Sequence, residues 1–420
     1  MIQDASRYGK RVETMAILLL LAYPSAMLVI KGGMNGAFLS LLLLSFAAWP
    51  RGSRDFLHVC WTRDMTSYLL AMAAMLVAIF ISQSYHHHYS GHPYDAASRF
   101  LLSVPIFMLL LRLRFSVVTA VQYGFPLAAI AGCAMLKPIV QGRYGIATLD
   151  LIHFGDFQLM LAVLSLASIN WTGRDAMWLK SLKIIGFMAG IYASILSGSR
   201  GGWMALPVFL LIFAYFRLGK LSLKIMTILL LTLVMTGCLA YFANQTIQQR
   251  VDETINNLTE FSGGNRDTST GIRLQLYRAA AEIIAQHPIF GVGPEGFKDE
   301  MDAMQQSGKI TPLAAELGKG EVHNELLSKT AGLGLPGLLA MLMIYLVPLR
   351  IFYRALRANS VQIRQSGMLG LIFVSGFMVF GLTVEVLNLT LATAFYSLTV
   401  AVLLAACLNI HHGEYNTPIN

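Results

Sequence analysis

Charged side chains make up only 13% of this 420-residue chain, about half the share of an ordinary soluble domain. Together with 56% hydrophobic residues and a mean hydropathy of +0.61, that scarcity excludes a water-soluble globule and leaves an integral membrane protein. Cysteine is scarce as well. Cys60, Cys133, Cys238 and Cys407 lie in or beside separate apolar runs without CxxC spacing, which excludes a disulfide or zinc framework and leaves them as packing residues. The dense acidic group of the outer region is Asp299, Glu300 and Asp302, a spacing common on a solvated helix. Four histidines in YHHHYSGHPY (His86, His87, His88, His92) have no nearby cysteine or ordered carboxylates to complete a metal site. No internal repeat is visible, nor a pair of Gly/Pro-broken spans of the kind that mark many transporters.

What the chain does have is long apolar runs. A bilayer core of about 30 Å needs about 20 apolar residues per helix. Twelve runs qualify, roughly 15 to 31, 35 to 49, 65 to 82, 99 to 113, 117 to 136, 151 to 170, 182 to 197, 202 to 216, 223 to 243, 331 to 349, 366 to 386 and 389 to 409. The expected fold is therefore an all-α integral membrane protein with about twelve transmembrane helices. Its parts are nine helices over 1–243, a large loop over 244–330, then three helices and a short tail over 331–420.

Lysine and arginine set the orientation. Of the 31 basic residues, 18 fall at the N-terminus and in every second connection, including Arg51, Arg54, Arg174, Lys220 and Arg350. Five (Lys31, Arg99, Lys137, Arg143, Arg200) fall in the short connections of the other side. Both termini are thus expected in the cytoplasm and the 244–330 loop outside. The net charge of +9 is mostly topological and gives little reason to expect nucleic acid. The first run follows a basic start without a small-residue cleavage site, so it reads as a retained anchor.

Several outer segments carry candidate chemistry. GIRLQLYRAAAEIIAQHP puts Ile272, Leu276, Ala280 and Ile283 at helical spacing, with Arg273 and Arg278 off that stripe, and predicts an amphipathic helix lying on the outer membrane face. SGSRGGW is a tight turn in which Arg200 sits among glycines, either an anion-binding concavity or a hairpin whose arginine meets lipid phosphate. Arg143, in KPIVQGRYG, is a weaker case of the same kind. Glu385 falls near the outer end of the eleventh run, either functional or reaching water at the helix end.

In GEVHNELLSKTAGLGLPG, a helix beginning at or just before His323 would align His323, Leu327, Thr330, Gly334 and Gly337 on one face. The glycines would admit a neighbouring helix. Pro336 is tolerable in a membrane helix whose neighbours satisfy the freed carbonyl. Periodicity alone leaves two readings of His323, an interfacial residue or a proton acceptor.

The spacing His323, Asn324, nine residues, Gly334, two residues, Gly337 resembles the His/Asn motif of the O-antigen ligases, in the wider ligase and polymerase family of bacterial surface polysaccharide assembly. SGSRGGW and GIRLQLYRAAAEIIAQHPIFGVGPEGF resemble that family's arginine-bearing outer turn and its large periplasmic loop. The similarity covers roughly residues 190 to 350. It implies a GT-C-like, metal-independent glycosyltransferase of the inner membrane, without a cofactor. The implied donor is a glycan on undecaprenyl diphosphate and the implied acceptor the lipid A core, both at the periplasmic face. By that resemblance His323 would be the general base, with Arg200 and Arg273 on the diphosphate; Arg143, Arg278 and Asn324 are the further candidates for substrate contact. The rival readings within the class are an O-antigen polymerase and a protein O-oligosaccharyltransferase. Outside it, a lipid or polysaccharide transporter would need charges along a path through the bilayer, whereas here the candidates gather at one face.

Overall fold

The computed structural model describes residues 2–48, 61–140, 142–171, 175–219, 222–243 and 245–409. Arg51, Arg54, Cys60, Arg174, Lys220 and the tail after residue 409 lie outside the described residues. In chain order the helices are α1 (Ile2–Val29), α2 (Gly33–Ala48), α3 (Arg63–His86), α4 (His92–Leu110), α5 (Phe115–Val118) and α6 (Val121–Ala134). A two-stranded antiparallel ribbon follows, β1 (Lys137–Val140) with β2 (Arg143–Gly145), then α7 (Leu151–Ala167) and α8 (Met177–Ser197). A short 3₁₀ turn (Gly202–Ala205) leads to α9 (Leu206–Leu218), α10 (Leu223–Ala243) and α11 (Gln245–Ser262). The chain continues with α12 (Ser269–Gln286), α13 (Gly296–Gln306) and α14 (Pro312–Gly318). The chain then re-enters the bundle as α15 (Glu325–Ala355), α16 (Val361–Phe380) and α17 (Thr390–Cys407).

Each of the twelve apolar runs overlaps a helix, but 117 to 136 is divided between α5 and α6, and 366 to 386 runs past the end of α16 at Phe380. Among the described residues, seven helical stretches are long and apolar enough to cross a membrane, and four further apolar helices are shorter. The protein is an all-α, multi-pass membrane protein. At its centre α17 is buried almost all round, packed by α4 and α16. Phe157, Phe373, Phe377, Phe395 and Tyr396 join α7, α16 and α17 in one ring cluster, with tilted, stacked and edge-on pairs 4.8–6.1 Å apart. Such geometries suit the aromatic quadrupole. By contrast α10 is apolar on every side and exposed along most of its described length, as a lipid-facing helix would be.

The outer region departs from the expected membrane-surface helix. The stripe Ile272, Leu276, Ala280 and Ile283 does face one way, but it buries into a small core with Phe297, Met301, Met304, Ala314 and Val322. Protein side chains from α13 and α14 take the place of lipid because they offer close-packed apolar contacts to the same stripe.

The expected helix through His323 is also corrected. It starts at Glu325, with Asn324 as its cap: the Asn324 side-chain oxygen accepts from Leu327 N at 3.0 Å. His323 therefore lies outside the helix. Nor does α15 run straight, since Gly334 adopts φ 67°, ψ −153°, a conformation reserved for glycine. What approaches this glycine is not a neighbouring helix but the backbone of the Pro288–Pro294 turn. A Cβ on Gly334 would fall onto the Ile289 carbonyl. The break frees Leu335 N to donate to Pro288 O (3.0 Å) and Ala331 O to accept from Val292 N (3.0 Å). Pro336 fits here: the Gly332 carbonyl it deprives of a partner faces the Ser82 hydroxyl of α3 at 3.5 Å.

Candidate functional site

His323 has φ +60°, and with His87 it is one of two non-glycine residues in the left-handed region among the described residues. An L-residue there costs about 1–2 kcal/mol. Such strain persists only where surrounding contacts enforce it, and four contacts do. The Tyr277 hydroxyl lies 2.9 Å from the carbonyl oxygens of both His323 and Leu382, sharing its one proton between them. Asn324 Nδ2 donates to Leu382 O (3.4 Å). Val322 N donates to Glu385 Oε1 (2.6 Å). On the ring itself, Glu321 Oε1 meets Nδ1.

That last pairing orients the imidazole. Nδ1 stands against the carboxylate as an ion-pair contact rather than an aligned hydrogen bond, and the tautomer that keeps its proton on Nδ1 leaves Nε2 as the acceptor a general base requires. Burial pushes the Glu321 carboxyl up, but the contact and charge of His323 and the Glu385 backbone N–H more than offset it, holding Glu321 below the ordinary glutamate range. Glu321 thus stays ionised, able to stabilise an imidazolium beside it.

The arginines come from two other elements. Arg200 sits in the turn after α8, which folds as it does because its small residues let it press on its neighbours. Gly202 leaves no room for a Cβ beside Asp156, and Gly201 none beside Thr383. Ser199 Oγ donates to Asp156 Oδ1 at 2.9 Å. Arg143, on β2, donates from Nε to Ser197 O (2.7 Å), tying the ribbon to the same turn. Arg143 and Arg200 together line an open cleft of about 440 Å³, with Glu253, Asn256, Glu260 and Ser269 along its other side. Glu253 stands 3.9 Å from Arg200.

Arg273 follows Ser269 by one turn of α12 and so shares its face. It is half-buried, near enough for its charge to act on both Tyr277 and Asp156. Arg278 is not brought to this group. It is exposed and sits about 140° around the helix from Arg273.

The loop after α16 joins the three segments. Leu382 O accepts from Asn324 and stands beside Tyr277, Thr383 abuts the Arg200 turn, and Glu385 holds the residue before His323. Glu385 itself is corrected: α16 ends at Phe380, and the acid is 3% exposed rather than reaching water. Its Oε2 accepts from Ser328 Oγ (2.7 Å) and Asn388 Nδ2 (3.2 Å). Burial raises its carboxyl above the usual range.

The sequence reading missed Tyr277, Glu321, Asp156, Thr383 and His153. His153 Nδ1 lies 2.6 Å from Asp150 Oδ2, and its charge acts on Glu321. Only Tyr277 had a local signal, one helical turn from Arg273. Of the histidine tract, His86 Nε2 meets Gly291 O at 3.1 Å and so contacts the loop turn, and His92 Nδ1 is 3.6 Å from Glu295. Among the described residues no three His, Cys, Asp or Glu side chains form a metal-holding group.

Comparison with known proteins fits this geometry. Residues 185–342 match the family model described as O-Antigen ligase. An uncharacterised protein of Haemophilus influenzae is 26% identical over 325 residues, covering 73% of this chain and 77% of that one. An O-antigen ligase of Escherichia coli K12 is 23% identical over 215 residues, 51% of this chain and 50% of that one. The matched stretch holds Arg200, Arg273, His323, Asn324, Gly334 and Gly337, and leaves out Arg143 and Glu385. Residues 185–342, which contain the arginine turn, the Arg273 helix and the His323 segment, are similar to the O-antigen ligase family model.

Proposed function

We propose that the protein is a metal-independent, inverting glycosyltransferase. It takes a glycan from undecaprenyl diphosphate and joins it to the lipid A core oligosaccharide at the periplasmic face of the bacterial inner membrane. The observation that carries this reading is the convergence on one loop, residues 381–385, of the Arg200 turn, the Arg273 helix and a strained His323 whose Nδ1 is held by Glu321. The E. coli relative named O-antigen ligase supports the choice of ligase over polymerase.

The chemistry follows from the groups. An acceptor hydroxyl loses its proton as it attacks the anomeric carbon, and a positioned base such as His323 Nε2 contributes about 10²- to 10⁴-fold. Glu321 stabilises the imidazolium that results. The departing diphosphate is already a stable anion, so it needs charge neutralisation more than protonation. Arginine forks at 200 and 273, with 143 beside them, provide this bidentately and never lose their charge. Attack from the face opposite the diphosphate inverts the anomeric centre.

The test is transfer in vitro by purified protein from undecaprenyl diphosphate glycan, offered rough lipopolysaccharide or a second lipid-linked glycan. Transfer to lipopolysaccharide that survives EDTA, inverts configuration by NMR and is abolished by His323→Ala is the expected result. Elongation of the lipid-linked glycan alone would make it a polymerase, and loss on chelation restored by Mg²⁺ would remove the metal-independent mechanism.

A further inference from the structure

Glu385 lies beyond the stretch that matches the family model, 63 residues from Val322 in sequence, yet it bonds to both Val322 and Glu321, the two residues that precede His323. Its Oε1 accepts the backbone N–H of Val322, the residue just before the histidine, at 2.6 Å. Its own backbone N–H points at Glu321 Oε2 (3.4 Å), the carboxylate whose other oxygen holds the imidazole. A closed ring results, from Glu385 through Val322 and His323 to Glu321 and back.

We infer that Glu385 is a positioning residue for glycosyl transfer, holding His323 in its left-handed turn so that Nε2 faces the reacting hydroxyl. The inference rests on the reading of His323 as the base. A left-handed histidine relaxes to φ < 0 unless its neighbours are pinned, and relaxation would swing the ring away from where it is held. On the C-terminal side the pin is the Asn324 cap; at the carbonyl it is Tyr277. On the N-terminal side it is Glu385. Both partners of that bond are buried, Val322 at 1% and Glu385 at 3% exposure, so water cannot substitute for it. The carboxylate is itself fixed by Ser328 and Asn388, an arrangement that fits orienting work better than contact with substrate.

The prediction separates orientation from bulk packing. Glu385→Leu preserves volume but cannot accept the Val322 N–H, and kcat should fall about 10- to 100-fold, the scale of an ångström-sized misplacement. KM for donor and acceptor should stay unchanged. Glu385→Gln keeps an acceptor oxygen and should restore kcat to near wild type. Wild-type kcat in Glu385→Leu, a loss that Glu385→Gln shares in full, or a loss carried by KM would each overturn the inference. If Glu385→Leu does not fold, the pair Ser328→Ala with Asn388→Ala loosens Oε2 alone; it should lower kcat in the same way, and unchanged kcat overturns the inference. The parent reading fails differently: His323→Ala would then retain activity. Failure of the inference alone leaves His323→Ala inactive and Glu385→Leu active.

Discussion

The strain at His323 makes a prediction about stability that runs opposite to activity. Consider His323→Gly and His323→Ala. Both remove the imidazole and its contact with Glu321, so the lost ion pair cancels in the comparison. Alanine keeps a Cβ at φ +60° and with it about 1–2 kcal/mol of strain, whereas glycine adopts that conformation freely. Against this, glycine loses about 0.5–1 kcal/mol more backbone entropy on folding. The difference leaves the glycine variant more stable by about 0.5–1 kcal/mol, roughly a two- to fivefold change in the unfolding equilibrium. Denaturant titration of each purified variant in the same detergent, followed by tryptophan fluorescence, measures it. The transfer assay on the same samples should show both inactive. Equal stabilities, or alanine the more stable, would refute the claim that the site stores strain in this turn.

Three further outcomes follow from the same geometry. Gly334→Ala should displace the Pro288–Pro294 turn, because a Cβ there meets the Ile289 carbonyl and comes within 2.6 Å of Phe290 N; a clear drop in thermal stability is expected, while Gly36→Ala, with open space around it, serves as the neutral control. Arg273→Lys keeps the charge but loses the fork, so kcat/KM for the lipid diphosphate donor should fall at least tenfold, the effect of one lost charge-assisted bond of about 1.5–3 kcal/mol; wild-type kcat/KM would remove Arg273 from the diphosphate. Glu321 has its folded-state value depressed below 4.5, so its stabilisation is fully present above that pH and is lost as pH falls through the lower folded value; Glu321→Gln should flatten the acid limb of the stability–pH curve, and an unchanged limb would show that the pairing with His323 adds nothing.

Much of the bundle was legible because a bilayer imposes length and composition on each helix, and both can be counted in a linear string. The candidate histidine was legible through its spacing to Asn324, Gly334 and Gly337. The purpose of that spacing was not. Gly334 looked like a seat for another helix and proved to receive the backbone of a loop more than 40 residues earlier. Its φ of 67° is a property of the folded chain that no periodicity encodes. Likewise Arg273 stood out as a charge off an apolar stripe, but the stripe itself could equally face lipid or protein until Met301 and Ala314 were seen against it. Thr383 was hidden for another reason, since it abuts Gly201 far away in sequence and a lone threonine carries no local signature, whereas Glu385 stood out as an acid but its partners Val322 and Ser328, 63 and 57 residues away, did not.

The break in α15 has a mechanical consequence. A continuous helix of 31 residues would be about 46 Å long, well beyond a hydrocarbon core of about 30 Å. Were it one rigid rod, the ordinary rocking of its membrane half would be levered onto the histidine at its outer tip. From Gly334 to Glu325 the arm is about 14 Å, and a 10° swing would carry the tip by about 2.4 Å, several times the ~0.5 Å tolerance of a reacting constellation. Interrupted at Gly334 and clamped there by the Pro288–Pro294 turn, the rod becomes two pieces. The longer piece, from Leu335 to Ala355, can tilt in the bundle without dragging the shorter one, which stays packed with α12 and the Pro288–Pro294 turn.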